Sequence, residues 1–315
     1  MTALITTARG RTLQLPEPLA WEMCYTAGVP CDSFWLRCPW EEPGEDLGQW
    51  KSFAADHQGE RVFTGVVDEC EVTWDRNGAV LEVSGRGMAA LLLDNEAQGQ
   101  DYETAALEDI LSGHVSPYGI RLAQPAALPP VSRFSVATGS SEWSVLYEFA
   151  RYHAGVSPRF DREGRLVLTG WTGCENLEIT DATPVTGLVL RERRYGVLSE
   201  IWVRDRTRQA VERVENTAFL QNGGTCRRIM TMPGRSDFKT MRYSGQFQLD
   251  KSAAGLVRQE IAVPILFYGR PGDLLSLHRS GWGKNGSWRV VGTRVTCGSQ
   301  GGQTVLELAA PDVVI

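Results

Sequence analysis

Lysine is nearly missing from this chain of 315 residues: of its 32 basic side chains, four are Lys and 28 are Arg. Arginine makes bidentate, weakly hydrated contacts, so the bias fits protein interfaces, although GC-rich coding produces the same skew. A surplus of positive charge is also lacking. With 38 acidic residues the net charge is −6, and without excess cations to neutralise phosphates, no sequence-specific nucleic-acid binding is expected. Long apolar runs do not occur. The longest aliphatic stretch, Met88 to Leu93, has six residues where a membrane-spanning helix needs about 20, so no membrane-spanning segment is expected. The opening Met-Thr-Ala-Leu-Ile-Thr-Thr-Ala-Arg-Gly-Arg has no basic segment followed by an apolar core, so the chain is expected to fold where it is made.

Motifs that carry chemistry are equally sparse. The seven cysteines (Cys24, Cys31, Cys38, Cys70, Cys174, Cys226, Cys297) include no Cys-x-x-Cys pair, which argues against a disulfide framework and a zinc site; reduced, mostly buried thiols are expected. The four histidines, His57, His114, His153 and His278, form neither His-Glu-x-x-His nor His-x-His. No Gly-x-Ser-x-Gly elbow and no Walker loop occurs. Ser84-Gly-Arg-Gly-Met-Ala-Ala90 matches the spacing of a dinucleotide fingerprint, but it follows the second arm of an antiparallel hairpin, so a tight turn into a packed Leu91-Leu92-Leu93 helix is the better reading. Thus no catalytic, cofactor-binding or metal-ligating residue is nominated.

What is present is an ordinary globular balance: 42% hydrophobic, 22% charged, and 33 glycines, enough chain for two or three domains with real cores. Segment 1–97 alternates as short strands divided by turns. Its clearest element is Glu71 to Ser84, where Asn77-Gly78 is a strong two-residue hairpin turn; pairing outward sets Trp74 opposite Leu81 and Val72 opposite Val83 on a core face. From 98 to 172 the period becomes helical, over Thr104 to Ser112 and Ser141 to Ala154, followed by a hairpin with Gly164 in its turn, Asp161 against Arg165 and Phe160 against Leu166. Segment 173–315 returns to strands at Leu198–Arg204, Ala210–Val214, Arg227–Met232, Glu260–Leu266, Asp273–His278, Ser287–Val295 and Thr304–Ala309, with a short helix near Ser252 to Gln259. The fold expected is mainly β with a small α+β insert: a first antiparallel β-barrel (1–97), a helix-hairpin middle module (98–172) and a second antiparallel β-barrel (173–315).

Charged and aromatic clusters allow competing readings. Glu41, Glu42, Glu45 and Asp46 form an acidic loop, and Asp68, Glu69 and Glu71 an acidic strand edge; a glycosidase needs two carboxylates about 5 to 9 Å apart, and Glu41 or Glu45 with Asp68 would be the pair of a cell-wall hydrolase. Trp35, Trp40 and Trp50 could serve as stacking platforms of a carbohydrate-binding receptor module, and core packing explains them as well. His57 reads as solvated, and His153 at a helix C-terminus as favoured by the helix dipole. Arg191, Arg193, Arg194, Arg204, Arg206, Arg208 and Arg213 interleave with Glu192, Glu200, Asp205, Glu212 and Glu215, a pattern of charge-paired strands suited to a subunit contact.

Three phrases in order carry a resemblance. They are Arg61 to Val67 with the Asn77-Gly78 hairpin and Leu81 to Ala97; the helix Glu142 to His153 with the hairpin Phe160 to Leu168; and Arg270 to Ser276, followed by Gly286 to Val295 and Gln303 to Leu308. This order resembles the baseplate hub proteins of contractile phage tails, the late control D and phage tail hub family, which includes the N-terminal part of type VI secretion spike proteins. Gly87 stands where that family's Gly-Arg-Asp-like turn has an acid. The resemblance implies a structural, non-enzymatic homotrimer whose two barrels per chain make a ring of six, joining a six-fold tail tube to a three-fold spike. It implies as partners a central spike protein, a tail tube or tube-initiator protein and baseplate wedge proteins, in a virion tail baseplate assembled in the host bacterial cytoplasm. Because the sequence stops at Ile315, just after the second barrel, a separate spike chain is expected. If the excess acidity lined the lumen of such a ring it would repel passing DNA, and the sequence does not place those charges.

Overall fold

The computed structural model describes all residues except 28–30, 42–43, 77, 172–173, 206–209, 234–235 and 314–315. The first seven strands are β1 (Thr2–Thr7), β2 (Thr12–Gln14), β3 (Ala20–Thr26), β4 (Ser33–Pro39), β5 (Trp50–His57), β6 (Glu60–Asp75) and β7 (Gly78–Gly87). Alternating burial along β3 and β4 reflects the two-residue period of a strand with one face on a core. Their sheet, in the order β3-β4-β7-β6-β5-β1-β2, rolls around Ile5, Met23, Leu36, Phe53, Phe63 and Leu81. Phe34 stacks on Phe53 with ring centroids 3.8 Å apart. The roll closes tightly because Gly65 and Gly85 lack side chains. A Cβ on Gly65 would lie 2.1 Å from the Arg86 carbonyl oxygen, and one on Gly85 2.0 Å from that of Val66.

The middle module contains α1 (Ala90–Leu93), β8 (Gln100–Ala105), α2 (Leu107–His114), β9 (Val131–Val136), α3 (Glu142–Tyr147), β10 (Arg159–Phe160) and β11 (Leu166–Val167). Ser141 caps α3 by accepting from the Ser144 N–H, and a π-helical turn, Glu148–His153, continues it. The helix periods, the Phe160↔Leu166 pair and the positive φ of Gly164 agree with the sequence reading. Leu92, Ile110, Phe134, Leu146 and Phe149 form this module's own core.

Beyond it come β12 (Asn176–Thr180), β13 (Gly187–Glu192), β14 (Glu200–Asp205), β15 (Val211–Glu215), α4 (Thr217–Gln221), β16 (Arg227–Met232), α5 (Phe238–Ala253), β17 (Val257–Val263), β18 (Leu274–His278), β19 (Gly286–Gly298) and β20 (Gly301–Ala309). The second barrel runs β13-β17-β20-β19-β18-β12 around Ile261, Leu275, Val290 and Leu306. Its run β18-β19-β20-β17-β13 repeats the order of β5-β6-β7-β4-β3, with every adjacent pair antiparallel. The two barrels share one sheet, because β19 pairs with β18 near its start and with β3 near its end.

Two local expectations are corrected. Asp75↔Gly78 closes the β6–β7 hairpin, so Trp74 faces Ala79 and Val72 faces Leu81; this two-residue slip keeps the same faces together. Asn77 of the expected turn lies outside the described residues. The hairpin runs past the barrel, leaving Trp74 82% exposed. In the C-terminal part, β14, β15 and β16 leave the barrel and form their own sheet, β15-β14-β16, covered by α5. The helix occupies Phe238–Ala253, capped by Asp237, where no helix was expected, and 257–259 are strand. Its apolar face was hard to see because a glycine, Gly245, belongs to it: a Cβ there would lie 2.8 to 3.2 Å from Val214, Val203 and Ile201.

Gly85→Ala is expected to destabilise the protein by about 3 kcal/mol, since the new methyl meets backbone that cannot retreat. Urea denaturation measures this; a loss below about 1 kcal/mol would contradict so close a β6–β7 approach.

Candidate functional surfaces

The path β13-β17-β20-β19-β3-β4-β7-β6 buries one face on the two barrel cores and leaves the other open. On the open face acids and bases meet across strands: Arg191 and Glu260 at 3.1 Å, Arg37 and Glu82 at 3.5 Å, and Arg258 and Glu307 at 3.7 Å. Exposed pairs of this kind contribute little stability. They make this face polar and mixed in sign.

Both ends of this path carry open strand edges among the described residues. β13 is paired with β17 only, and β6 is flanked by β5 up to Val66 and by β7 alone afterwards. Large apolar side chains reach solvent at both: Val72 and Trp74 on β6, Val189 and Leu190 on β13. Open apolar edges are templates for strand addition. Sequence alternation marked Val72 and Trp74 as a core face; where the barrel stops beneath them was not legible.

The small sheet β15-β14-β16 presents a second surface. Trp202 sits centrally on it with Arg213 and Ile229 as neighbours in register. The Arg227 guanidinium lies 4.5 Å from the Trp202 ring centre. Glu200, nearly buried, receives Arg227, the Trp202 indole and Arg213, and these donors hold its carboxyl below the usual range. Arg213 also meets Glu215 at 2.7 Å. The expected charge pairing is therefore seen for Arg191 and Arg213, while Arg206 and Arg208 lie outside the described residues.

Two polar clusters hold elements together. In the fingerprint-like segment, Arg86 forks onto Asp68 (2.7 and 2.9 Å) and Asp94 (2.6 and 2.9 Å), tying β6 and β7 to the end of α1. In the middle module, His114 Nδ1 lies 2.6 Å from the Glu142 carboxylate, which also accepts from the Tyr118 hydroxyl at 3.0 Å; Tyr102 meets His114 Nε2 at 3.0 Å. His114 and Glu142 are buried, so this group joins α2 to α3 without reaching a cleft. Sequence reasoning passed over it, because 28 residues separate its two central members.

A cavity of about 440 Å³ lies where barrel, middle module and C-terminal segment meet, lined among others by Tyr25, Asp32, Arg61, Arg162, Trp171 and Arg270. Asp32 accepts from the Thr26 N–H at 2.9 Å. Burial raises its carboxyl to about 7, against the Thr26 hydrogen bond and the nearby Arg162 charge.

The remaining sequence candidates separate. Trp40 and Trp50 are buried against each other, ring centroids 5.7 Å apart, and offer no stacking platform; the Trp35 indole donates to Glu82 at 3.1 Å. Glu45 pairs with Arg11, Asp68 with Arg86, and Glu41 is exposed; none of the three lines the junction cavity, and Glu42 lies outside the described residues. His57 lies against Phe267 (centroids 5.1 Å apart), and burial lowers its basicity. His153 is not a charged helix cap: burial beside Phe134 pushes it down to about 4, so the ring is neutral. The cysteines are all free, but only Cys38 is fully buried and Cys174 is exposed, so the expectation of mostly buried thiols was too strong.

No protein-family model matches the chain, and no curated protein matches it. Solved structures do. The 43 kDa tail protein of prophage MuSo2 from Shewanella oneidensis is similar with a TM-score of 0.78 at 17% identity, over 100% of both chains. A tail protein from Neisseria meningitidis MC58 gives 0.76 at 15% identity, over 99% of this chain and 96% of that one. An Escherichia coli type VI secretion component, itself structurally similar to the bacteriophage T4 tail proteins gp27 and gp5, gives 0.57 at 12% identity, over 94% of this chain and 73% of that one. The fold, mainly β with few helices, is that of phage tail proteins.

Asp32 gives a pH signature. With its folded pKa raised to about 7 from 3.8, the folded chain holds an extra proton between those values, so stability is full below pH 4 and falls as pH rises through 7. Asp32→Asn stays neutral and is expected to gain about 1–2 kcal/mol relative to the parent between pH 4 and pH 8; this is less than three pH units would give, because the side chain is only partly shielded from water. Urea titrations at the two pH values measure the difference, and no gain would mean that Asp32 is already ionised.

Proposed function

We propose that this chain is the structural baseplate hub of a phage tail or phage-like contractile injection particle. Three copies form a ring that joins a six-fold tail tube to a three-fold central spike. The observation that carries this reading is the doubled five-strand run: a chain with two barrels of one topology in one sheet turns three-fold symmetry into six similar positions. Full-length likeness in fold to two tail proteins supports it. The proposed division is a first barrel over 1–97, a middle module over 98–172 and a second barrel over 173–315, the last carrying the small sheet as an insert.

The work of such a hub is assembly and gating, with no bond chemistry. Its partners are a second and third copy, the central spike protein, the tube or tube-initiator protein and the baseplate wedge proteins. It resides in the virion tail baseplate after assembly in the host bacterial cytoplasm. The open sheet face is its channel wall, where paired charges of both signs give passing DNA little to adhere to.

Light scattering on the purified chain, alone and with its spike protein, tests the reading. A mass of 3 × 34.8 kDa, about 104 kDa before spike is added or after, is the expected result. A monomer that ignores the spike would overturn it.

A further inference from the structure

Two hairpins of this chain share one construction, and only one of them has a partner for its free edge. The closure of β6–β7, Asp75↔Gly78, falls on that of β19–β20, Gly298↔Gly301, with an offset of 223 positions in both strands. The same offset carries the irregularity between Val67 and Glu69 onto that between Val290 and Gly292. Before the irregularity each strand pairs with its own barrel, β6 with β5 and β19 with β18. After it, β19 crosses to β3, from Gly292↔Thr26 to Cys297↔Trp21. The same edge of β6, over 69–74, faces no strand among the described residues.

The second barrel holds a counterpart of β3. Val83 pairs with Leu36, and Leu36 with Trp21; at the matching positions Leu306 pairs with Ile261, and Ile261 with Leu188. Leu188 on β13 thus stands where Trp21 stands on β3. Among the described residues the outer edge of β13 is open as well.

We propose that residues 69–74 of β6 pair antiparallel with β13 of a second copy, in the register that joins β19 to β3 within one chain. Carried over residue by residue, this sets Trp74 against Leu188, Val72 against Leu190, Glu71 against Arg191, and Glu69 against Arg193 of the second copy. The register comes from backbone pairings alone, yet at four of its six positions it brings apolar groups to apolar groups and acids to bases, the pairings that stabilise neighbouring strands; the other two set Cys70 against Glu192 and Thr73 against Val189. The faces agree too. Val72 and Trp74 share the side of the buried Leu81, and Leu188 pairs with the buried Ile261, so apolar cover passes from barrel to barrel as Val295 passes it to Met23 inside the chain. Pairing would cover Val72, Trp74 and Leu190, whose exposure has no other explanation in the single chain.

The contact is head-to-tail, since β6 and β13 lie at opposite ends of one strand path; its closure after three copies rests on the ring proposed above. Charge reversal and cross-linking test it together. Glu71→Arg and Arg191→Glu are each expected to weaken self-association by at least about tenfold, and the double variant to restore it. Circular dichroism checks that each variant is folded. Thr73→Cys with Val189→Cys is expected to give an interchain disulfide under mild oxidation, located by peptide mass, and Thr73→Cys with Arg193→Cys far less. A trimer whose mass ignores both reversals and which yields no in-register cross-link would overturn the register and leave the ring standing. A parent chain that stays monomeric with and without its spike protein and never cross-links would overturn both.

Discussion

Everything in this molecule depends on the pairing of β19 with β3. It converts two rolled sheets into one, and it completes the first core from the far end of the chain: Val295 is buried among first-barrel residues, Cys297 packs against them, and Phe267 stacks on Trp21 at 5.7 Å. The contact joins residues more than 260 positions apart, so its loop-closure cost comes before its reward, and long-range strand pairing of this kind is slow to form. The N-terminal barrel therefore reaches its final packing only after the last strands exist.

The same pairing fixes where the long strand changes partners. Strand β19 must leave β18 and move onto β3, and it does so at the irregularity beside Gly292, where a Cβ would lie 2.9 Å from the Glu307 carboxylate. Strand β6 has its irregularity at the matching place, next to Asp68, which Arg86 holds together with Asp94. What looked like a nucleotide fingerprint, Gly85-Arg86-Gly87, is thus a closure device: one glycine admits the Val66 carbonyl, and the arginine ties strand to helix.

Much of this was legible in the sequence. Period-two alternation located β6, β7 and β17 to β20 but gave no bounds for β1 to β5, β12 or β13; the Gly164 turn set its hairpin correctly, and the order of loose phrases pointed to a tail-protein fold, which the solved structures share. What escaped was non-local. Strands β14 to β16 alternate like barrel strands, and only the tertiary partner, α5, shows that they form a separate sheet. That helix docks on the sheet through Met241, Gly245 and Leu249, and its Phe247 lies under the Arg151 guanidinium, 3.3 Å from the ring centre, contacts no local pattern encodes. Trp74 misled for a related reason: alternation reports which face a residue shares, not how far the supporting layer extends.

The distribution of charge along the two open edges has one more consequence. Strand β6 carries Glu69 and Glu71 beyond its barrel, whereas β13 carries Arg191 next to its last residue, Glu192, and the chain runs on into Arg193 and Arg194. Two copies of β6 laid side by side would crowd carboxylates, and two copies of β13 would crowd guanidinium groups. Each edge is repelled by its own kind and attracted by the other, so wrong pairings during synthesis at high local concentration are disfavoured before any shape is tested. A chain that exposes sticky strand edges can then remain dispersed until the correct neighbour arrives in the correct orientation.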